Sequence, residues 1–395
     1  MNRYIVNGKL VLSNFEIDGE EKYFGEDKNF EEIFLCVKNH EMKDRIVFPL
    51  EYMENLKKSD DLSQIIKGED PLEKGVHALN ISNPRWKDAL ITRKKEKYKM
   101  HLLGLGDVGS NLLIGLRLLG GDILSEIGIY DLDEKKKQRW EFELNQVYYP
   151  DETFPKVTMI NDENLFDCDI FVFCASKFIP AVGEEKGDVR MIQYKENSKI
   201  LSSIGKKARE RGFKGIFAVV SDPVDHLCKS LYYSSNTEGE NFDYKGLMPH
   251  QIRGYGLGVM NARANYFSEK MGLHEYKEEG RVFGPHGKEL ICANSISNYD
   301  DMMSRELTEA TVTANLKLRE IGYKPFVAPA LSSGALSILK TLRGDWHYSA
   351  VRLGDCYFGI KNRYTEFGDY IETYEVEDEL YNRINNTYRG LIDFE

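Results

Sequence analysis

The 395-residue sequence has no apolar run near the ~18 residues that a membrane span requires. Its opening residues, MNRYIVNGKL, have no signal-peptide core. Paired cysteines are missing as well. Cys36, Cys168, Cys174, Cys228, Cys292 and Cys356 are scattered without a C-x-x-C pair. That excludes the usual zinc spacings and points to free thiols in a reducing cytoplasm. His226, His250, His274 and His286 show no ligand spacing, so no metal is expected. A basic excess is also absent: 53 Lys and Arg face 64 Asp and Glu, for a net charge of -11, which argues against a nucleic-acid surface. There are no internal repeats and no low-complexity tracts. With 42% hydrophobic and 30% charged residues, the chain reads as an ordinary globular cytoplasmic protein of two or three domains.

The richest stretch is His101 to Asp131, HLLGLGDVGSNLLIGLRLLGGDILSEIGIYD. It predicts a strand, a glycine turn, an apolar helix and a second strand ending in a carboxylate. Gly104, Gly106 and Gly109 form G-x-G-x-x-G, with Asp107 and Val108 inside the turn. The first glycine permits the tight turn, the second admits a pyrophosphate, and the third lets the helix pack close to the strand. The helix N-terminus offers N–H groups and a positive dipole end to phosphates. Asp131 can accept hydrogen bonds from both ribose hydroxyls of an adenosine, which favours NAD over NADP. NAD is therefore the expected cofactor.

This motif begins late, and residues 1–97 lie outside the fold it announces. They read as a small α+β appendage, with β-like pieces at Tyr4 to Val6, Leu10 to Leu12, Ile33 to Val37 and Ile46 to Phe48. A polar, helix-like stretch follows from Glu51 to about Lys67, and the basic run from Arg93 to Lys97 reads as a solvated linker. From Tyr98 strands alternate with helices, which predicts a doubly wound parallel sheet (a Rossmann domain) over 98–250. Asp169 to Cys174 and Gly215 to Val220 are apolar runs suited to strands buried on both faces. The loop Ala175 to Val189 and a helix from Arg190 to Arg211 lie between them. Residues 251–395 read as a mixed α+β substrate domain. Its helices are expected at Leu257 to Met271, Asp301 to Glu320 and Ala328 to Leu342, and a last strand (TYEV) precedes a helix from Glu377 to Tyr388.

The order of landmarks resembles the lactate/malate dehydrogenase family over most of residues 98 to 365. GLGDVGSN is similar to that family's glycine turn and IYDLDEKK to its acidic ribose-binding strand end. VVSDPVDHL is similar to its N-P-V-D segment, GYGLGVMNARANY to its G-x-G-x-x-L-D-x-x-R helix start, and VFGPHGKEL to its G-E-H-G-D catalytic loop. The resemblance implies hydride transfer between nicotinamide and a 2-hydroxy or 2-oxo acid. It implies Arg263 as the fork that holds the substrate carboxylate and His286 as the general acid/base. Arg190, after a loop with hinge candidates Gly183 and Gly187, becomes the cation that polarises the substrate oxygen. Ser332 lies near a substrate-contacting threonine of the family. A homo-oligomer is expected on the same ground.

Two departures stand out. The family's histidine partner is an aspartate three residues before the carboxylate-binding arginine; here that position is Met260, which cannot orient an imidazole or stabilise its cation. Asp222 stands where the family usually has asparagine, and it is a candidate for supplying the missing charge near His286. These departures leave a second reading open, a catalytically lapsed protein that binds NAD(H) for sensing or structure. A third is an NAD-dependent enzyme acting on another alcohol or a sugar.

Overall fold

The computed structural model describes residues 1–25, 30, 32–40, 43–44, 46–49, 76–91, 94–176, 189–365 and 368–394. The helix-like stretch expected from Glu51 lies outside them. The chain folds into two compact units, one of residues 1–94 with 364–375, the other of 95–363 with 376–395.

The first unit carries strands β1 (Asn2–Val6), β2 (Lys9–Ser13), β3 (Ile33–Val37), β4 (Val47–Pro49) and β5 (Val76–Asn80), in the order β1-β2-β3-β5-β4. The β1–β2 and β4–β5 pairs are antiparallel; β2–β3 and β3–β5 are parallel. Buried Tyr4, Leu10, Val11, Phe34, Ala78 and Leu79 form its apolar interior.

In the second unit the strand–helix alternation gives β6 (Tyr98–Leu103), α1 (Asp107–Leu119), β7 (Leu124–Tyr130), α2 (Glu134–Asn145), β8 (Lys156–Met159), β9 (Ile170–Phe173), α3 (Val189–Glu210), β10 (Ile216–Val219), α4 (Val224–Asn236) and β11 (Ile252–Gly254). These strands run parallel in the order β8-β7-β6-β9-β10-β11. Counted from β6 this is 3-2-1-4-5-6, the doubly wound dinucleotide-binding order, whose direction reverses between β6 and β9. IFVF in β9 and IFAV in β10 are buried at every position, as a sheet covered on both faces demands. Phe171 and Phe217 pack with Phe166 and Phe213 beneath α3 and α4.

The rest of the unit holds α5 (Leu257–Met271), the hairpin β12 (Arg281–Phe283) and β13 (Ile291–Ala293), and α6 (Asp301–Glu320). A π-helical segment (Pro329–Leu336) then leads into α7 (Ser337–Arg343), followed by β14 (His347–Leu353), β15 (Cys356–Thr365) and α8 (Asp378–Ile392); β16 (Gly368–Ile371), between β15 and α8 in sequence, belongs to the first unit. β14 joins β11 antiparallel, and β15 joins β14. The single α-helix expected over Ala328 to Leu342 is thus π-helical in its first half, where it packs on α1. A Cβ on Gly115 would lie 2.7 Å from Ala335, and one on Gly334 2.5 Å from Leu112, so the wider turn follows a very close helix approach. TYEV is not a strand; β16 ends at Ile371, and the charged Glu375 and Glu377 lead directly into the start of α8. Among the described residues no helix is long and apolar enough to cross a membrane.

Candidate active site

The glycine turn lies at the point where the strand order reverses. Gly104 has φ +99°, and a Cβ there would lie 2.8 Å from the Ala175 nitrogen, just beyond β9. A Cβ on Gly109 would fall 1.9 Å from the Gly104 carbonyl oxygen, so α1 can approach the turn only with glycine there. Gly106 differs: nothing lies within 4 Å of its Cβ direction. It is the N-cap of α1 and has no side-chain cap, so the helix end faces open space with its backbone donors. Asp131 ends the following strand. Its Oδ2 accepts from the Leu105 nitrogen at 2.8 Å and its Oδ1 from the Asp133 nitrogen at 3.0 Å. Each carboxylate oxygen has two lone pairs, so ribose hydroxyls can still be accommodated. Asp107 has an exposed side chain 3.6 Å from Lys324. Turn, helix end and carboxylate fit NAD.

At the same edge of the sheet, β10 runs into the turn Ser221–Pro223, whose Asp222–Pro223 peptide is cis. The Ser221 hydroxyl donates to the Ala175 carbonyl at 2.7 Å, and the Asn197 amide of α3 donates to the Asp222 carbonyl at 2.8 Å. The Asp222 carboxylate, half-exposed, lies 2.9 Å from Nδ1 of His286. The imidazole itself is 13% exposed. The His286 backbone N–H donates to the buried Asp225 carboxylate at 3.2 Å. A Cβ on Gly256 would lie 2.7 Å from that of His286, so glycine at the start of α5 makes room for the histidine loop.

Arg263 lies two turns into α5 and is half-buried. Its guanidinium donates to the Asn315 side-chain oxygen of α6 and, at 3.7 Å, to the Met260 sulfur. Burial pushes the guanidinium below the usual arginine range, and the negative charge of Asp222 acts in the opposite direction. Met260 is buried among Leu257, Ala264, Tyr276, Val282, Leu290, Cys292 and Leu307. The methionine is therefore a core residue here, in a setting where an unpaired carboxylate would be costly.

Residues 98–242 match the family model described as lactate/malate dehydrogenase, NAD binding domain. Over this domain the chain is similar to the lactate/malate dehydrogenase family. Similar proteins include the L-lactate dehydrogenase of Mycoplasma pneumoniae, 25% identical over 214 residues, which are 54% of this chain and 64% of that protein. The L-lactate dehydrogenase of Staphylococcus saprophyticus is 27% identical over 201 residues, 51% of this chain and 58% of that one. The chain thus spans under two thirds of the length of these two relatives. The crystal structure of a lactate dehydrogenase from a Medee basin deep-sea metagenome library shares the fold, with a TM-score of 0.61, 17% identity, and coverage of 75% of this chain and 97% of that one.

The site residues expected from sequence fall into three groups. His286 and Asp222 are hydrogen-bonded, and Arg263 lies within electrostatic reach of Asp222. Ser332 contributes its carbonyl to the Ser337 hydroxyl at 2.7 Å. Arg190 opens α3, and its side chain lies outside the described residues, as does the loop stretch 177–188 with Gly183 and Gly187. Sequence reasoning missed Asn315, Asn197, Asp225 and Ser333. The Ser333 hydroxyl accepts from the Val259 nitrogen at 2.8 Å and donates to the Gly256 carbonyl at 2.7 Å, so it holds the start of α5. The SSG sequence signalled a polar contact there, and only the fold shows which serine makes it. The described residues hold no group of three His, Cys, Asp or Glu suited to a metal.

Proposed function

We propose that this protein is an NAD-dependent dehydrogenase that interconverts a 2-hydroxy acid and the corresponding 2-oxo acid. The observation that carries the reading is one site at the strand ends of an NAD-binding sheet, where a carboxylate-paired histidine and a half-buried arginine share a carboxylate neighbour. Residues 98–250 would supply the cofactor half and residues 251–395 most of the substrate half.

Gly104, Gly106 and Gly109 with the start of α1 would hold the pyrophosphate of NAD, and Asp131 the adenosine ribose. When bound, the nicotinamide supplies the hydride acceptor or donor. Arg263 holds the substrate carboxylate in a two-pronged contact and so orients the carbon that reacts. His286 takes the hydroxyl proton as the alcohol is oxidised and returns it in reduction. Proton exchange is assigned to Nε2, the ring nitrogen opposite the one beside Asp222. Arg190 would polarise the substrate oxygen from the first turn of α3. A histidine beside a carboxylate supports a working acid/base over the lapsed reading that Met260 suggests.

The test is NADH oxidation, followed by absorbance, against a panel of 2-oxo acids with wild type and His286→Ala. Turnover on at least one acid is expected, falling on the order of 10²–10⁴-fold in the variant. Wild type that binds NADH by fluorescence but reduces no 2-oxo acid would overturn the proposal.

A further inference from the structure

We propose that the turn from Ser221 to Asp225, which leads from the cofactor sheet into α4, positions His286, with Asp222 setting the ring and Asp225 the backbone. The proposal rests on the assignment of His286 as the proton-exchanging residue. Two carboxylates three residues apart grip that residue at two points. Asp222 Oδ1 lies 2.9 Å from the ring Nδ1, and Asp225 Oδ2 accepts the backbone N–H at 3.2 Å. The grip is itself anchored. Asn197 holds the Asp222 carbonyl, Ser221 holds the Ala175 carbonyl, and Asp225 is buried in the first turn of α4.

Helix α5 presents a different surface. Position 260, one turn beyond the Gly256 that abuts His286, holds a methionine whose sulfur is turned to Arg263 and whose neighbours are apolar. An Nδ1–H donated to a carboxylate selects one imidazole tautomer, presents Nε2 for exchange and stabilises the imidazolium. A carboxylate on the β10–α4 turn provides this from the cofactor side of the site. Its charge also acts on Arg263. One side chain therefore serves both groups that handle the substrate. Because Asp222 is half-exposed, its charge is partly screened. Its loss should cost less than the ~10⁴-fold seen when the orienting carboxylate of a serine-protease triad is removed.

The experiment uses full-length protein with NADH bound and ¹⁵N-labelled histidine, as wild type, Asp222→Asn, Asp222→Glu and Asp225→Ala. The wild-type His286 ring should give the nitrogen shifts of the Nδ1-protonated tautomer. In Asp222→Asn those shifts should change and kcat should fall about 10- to 1000-fold, with the KM for NADH unchanged. Asp222→Glu should recover part of the loss, and Asp225→Ala should broaden the His286 signals. Ring-nitrogen shifts and kcat the same in Asp222→Asn as in wild type would overturn the proposal. Shifts that respond to Asp222→Asn in a protein without turnover would uphold the positioning and defeat the dehydrogenase reading. Full turnover in Asp222→Asn would do the reverse.

Discussion

The guanidinium of Arg263 on α5 donates to the side-chain oxygen of Asn315 on α6, so a neutral amide aims the cation without cancelling its charge. An aspartate at 315 would form an ion pair and compete with an incoming carboxylate; an amide accepts one N–H and leaves the positive charge intact.

Asn315→Ala should therefore raise the KM for a 2-oxo acid about tenfold, the worth of one hydrogen bond to a charged group, with little change in NADH affinity. Asn315→Asp should be worse, although it keeps the hydrogen bond. Steady-state kinetics on the three proteins decides this, and equal KM values would refute the aiming role.

The glycine turn separates folding from cofactor binding. At Gly106 a methyl group meets nothing within 4 Å, whereas at Gly109 it meets the Gly104 carbonyl at 1.9 Å. Gly106→Ala should melt like wild type and bind NADH more weakly. Gly109→Ala should lose about 1–3 kcal/mol of stability as α1 is pushed from the turn. Thermal unfolding paired with NADH fluorescence titration checks both, and identical behaviour of the two variants would contradict the geometry.

Stability should fall in mild acid because of His347. Burial and the nearby Arg253 lower its pKa to about 3 from an ordinary 6.5. Between these values the unfolded chain takes up a proton that the folded state excludes. The contribution is complete above pH 6.5 and is lost as pH falls toward 3, with a limiting slope of about 1.4 kcal/mol per pH unit. Buried His101 is lowered in the same direction. In His347→Gln the slope should be shallower, and the starting stability lower by about 1–2 kcal/mol, since the ring bonds Thr341, Ser349 and the Asp345 carbonyl. Urea unfolding between roughly pH 5 and pH 8 tests this, and parallel curves for the two proteins would sink it.

The doubly wound sheet could be read from the chain because its signals are local. Gly104, Gly106, Gly109 and Asp131 stand within one strand–helix–strand unit, and β9 and β10 are continuous apolar runs. The site was legible only in part. His286 and Arg263 could be picked out as candidates from local motifs. Asp222, 64 positions from His286, could be named as its candidate partner from its unusual place in the VVSDPVDHL segment, whereas Asn315, 52 positions from Arg263, carried no such signal. Such pairings are decided by how β10, α5 and α6 pack. Met260 showed what was missing, but its apolar surroundings are drawn from residues spread between Leu257 and Leu307. The π-helical turn was hidden too, because it answers the small residues of α1 across the interface.

That π-helical segment binds in two directions at once. Its Gly334 and Ala335 lie against Leu112 and Gly115 of the helix that starts at the glycine turn, while its Ser333 hydroxyl clasps the first residues of the helix that carries Arg263. Eight residues thus serve as a common bearing for the helix that starts at the glycine turn and the helix that carries Arg263. A methyl group added at Gly115, remote from any reacting atom, would displace both together.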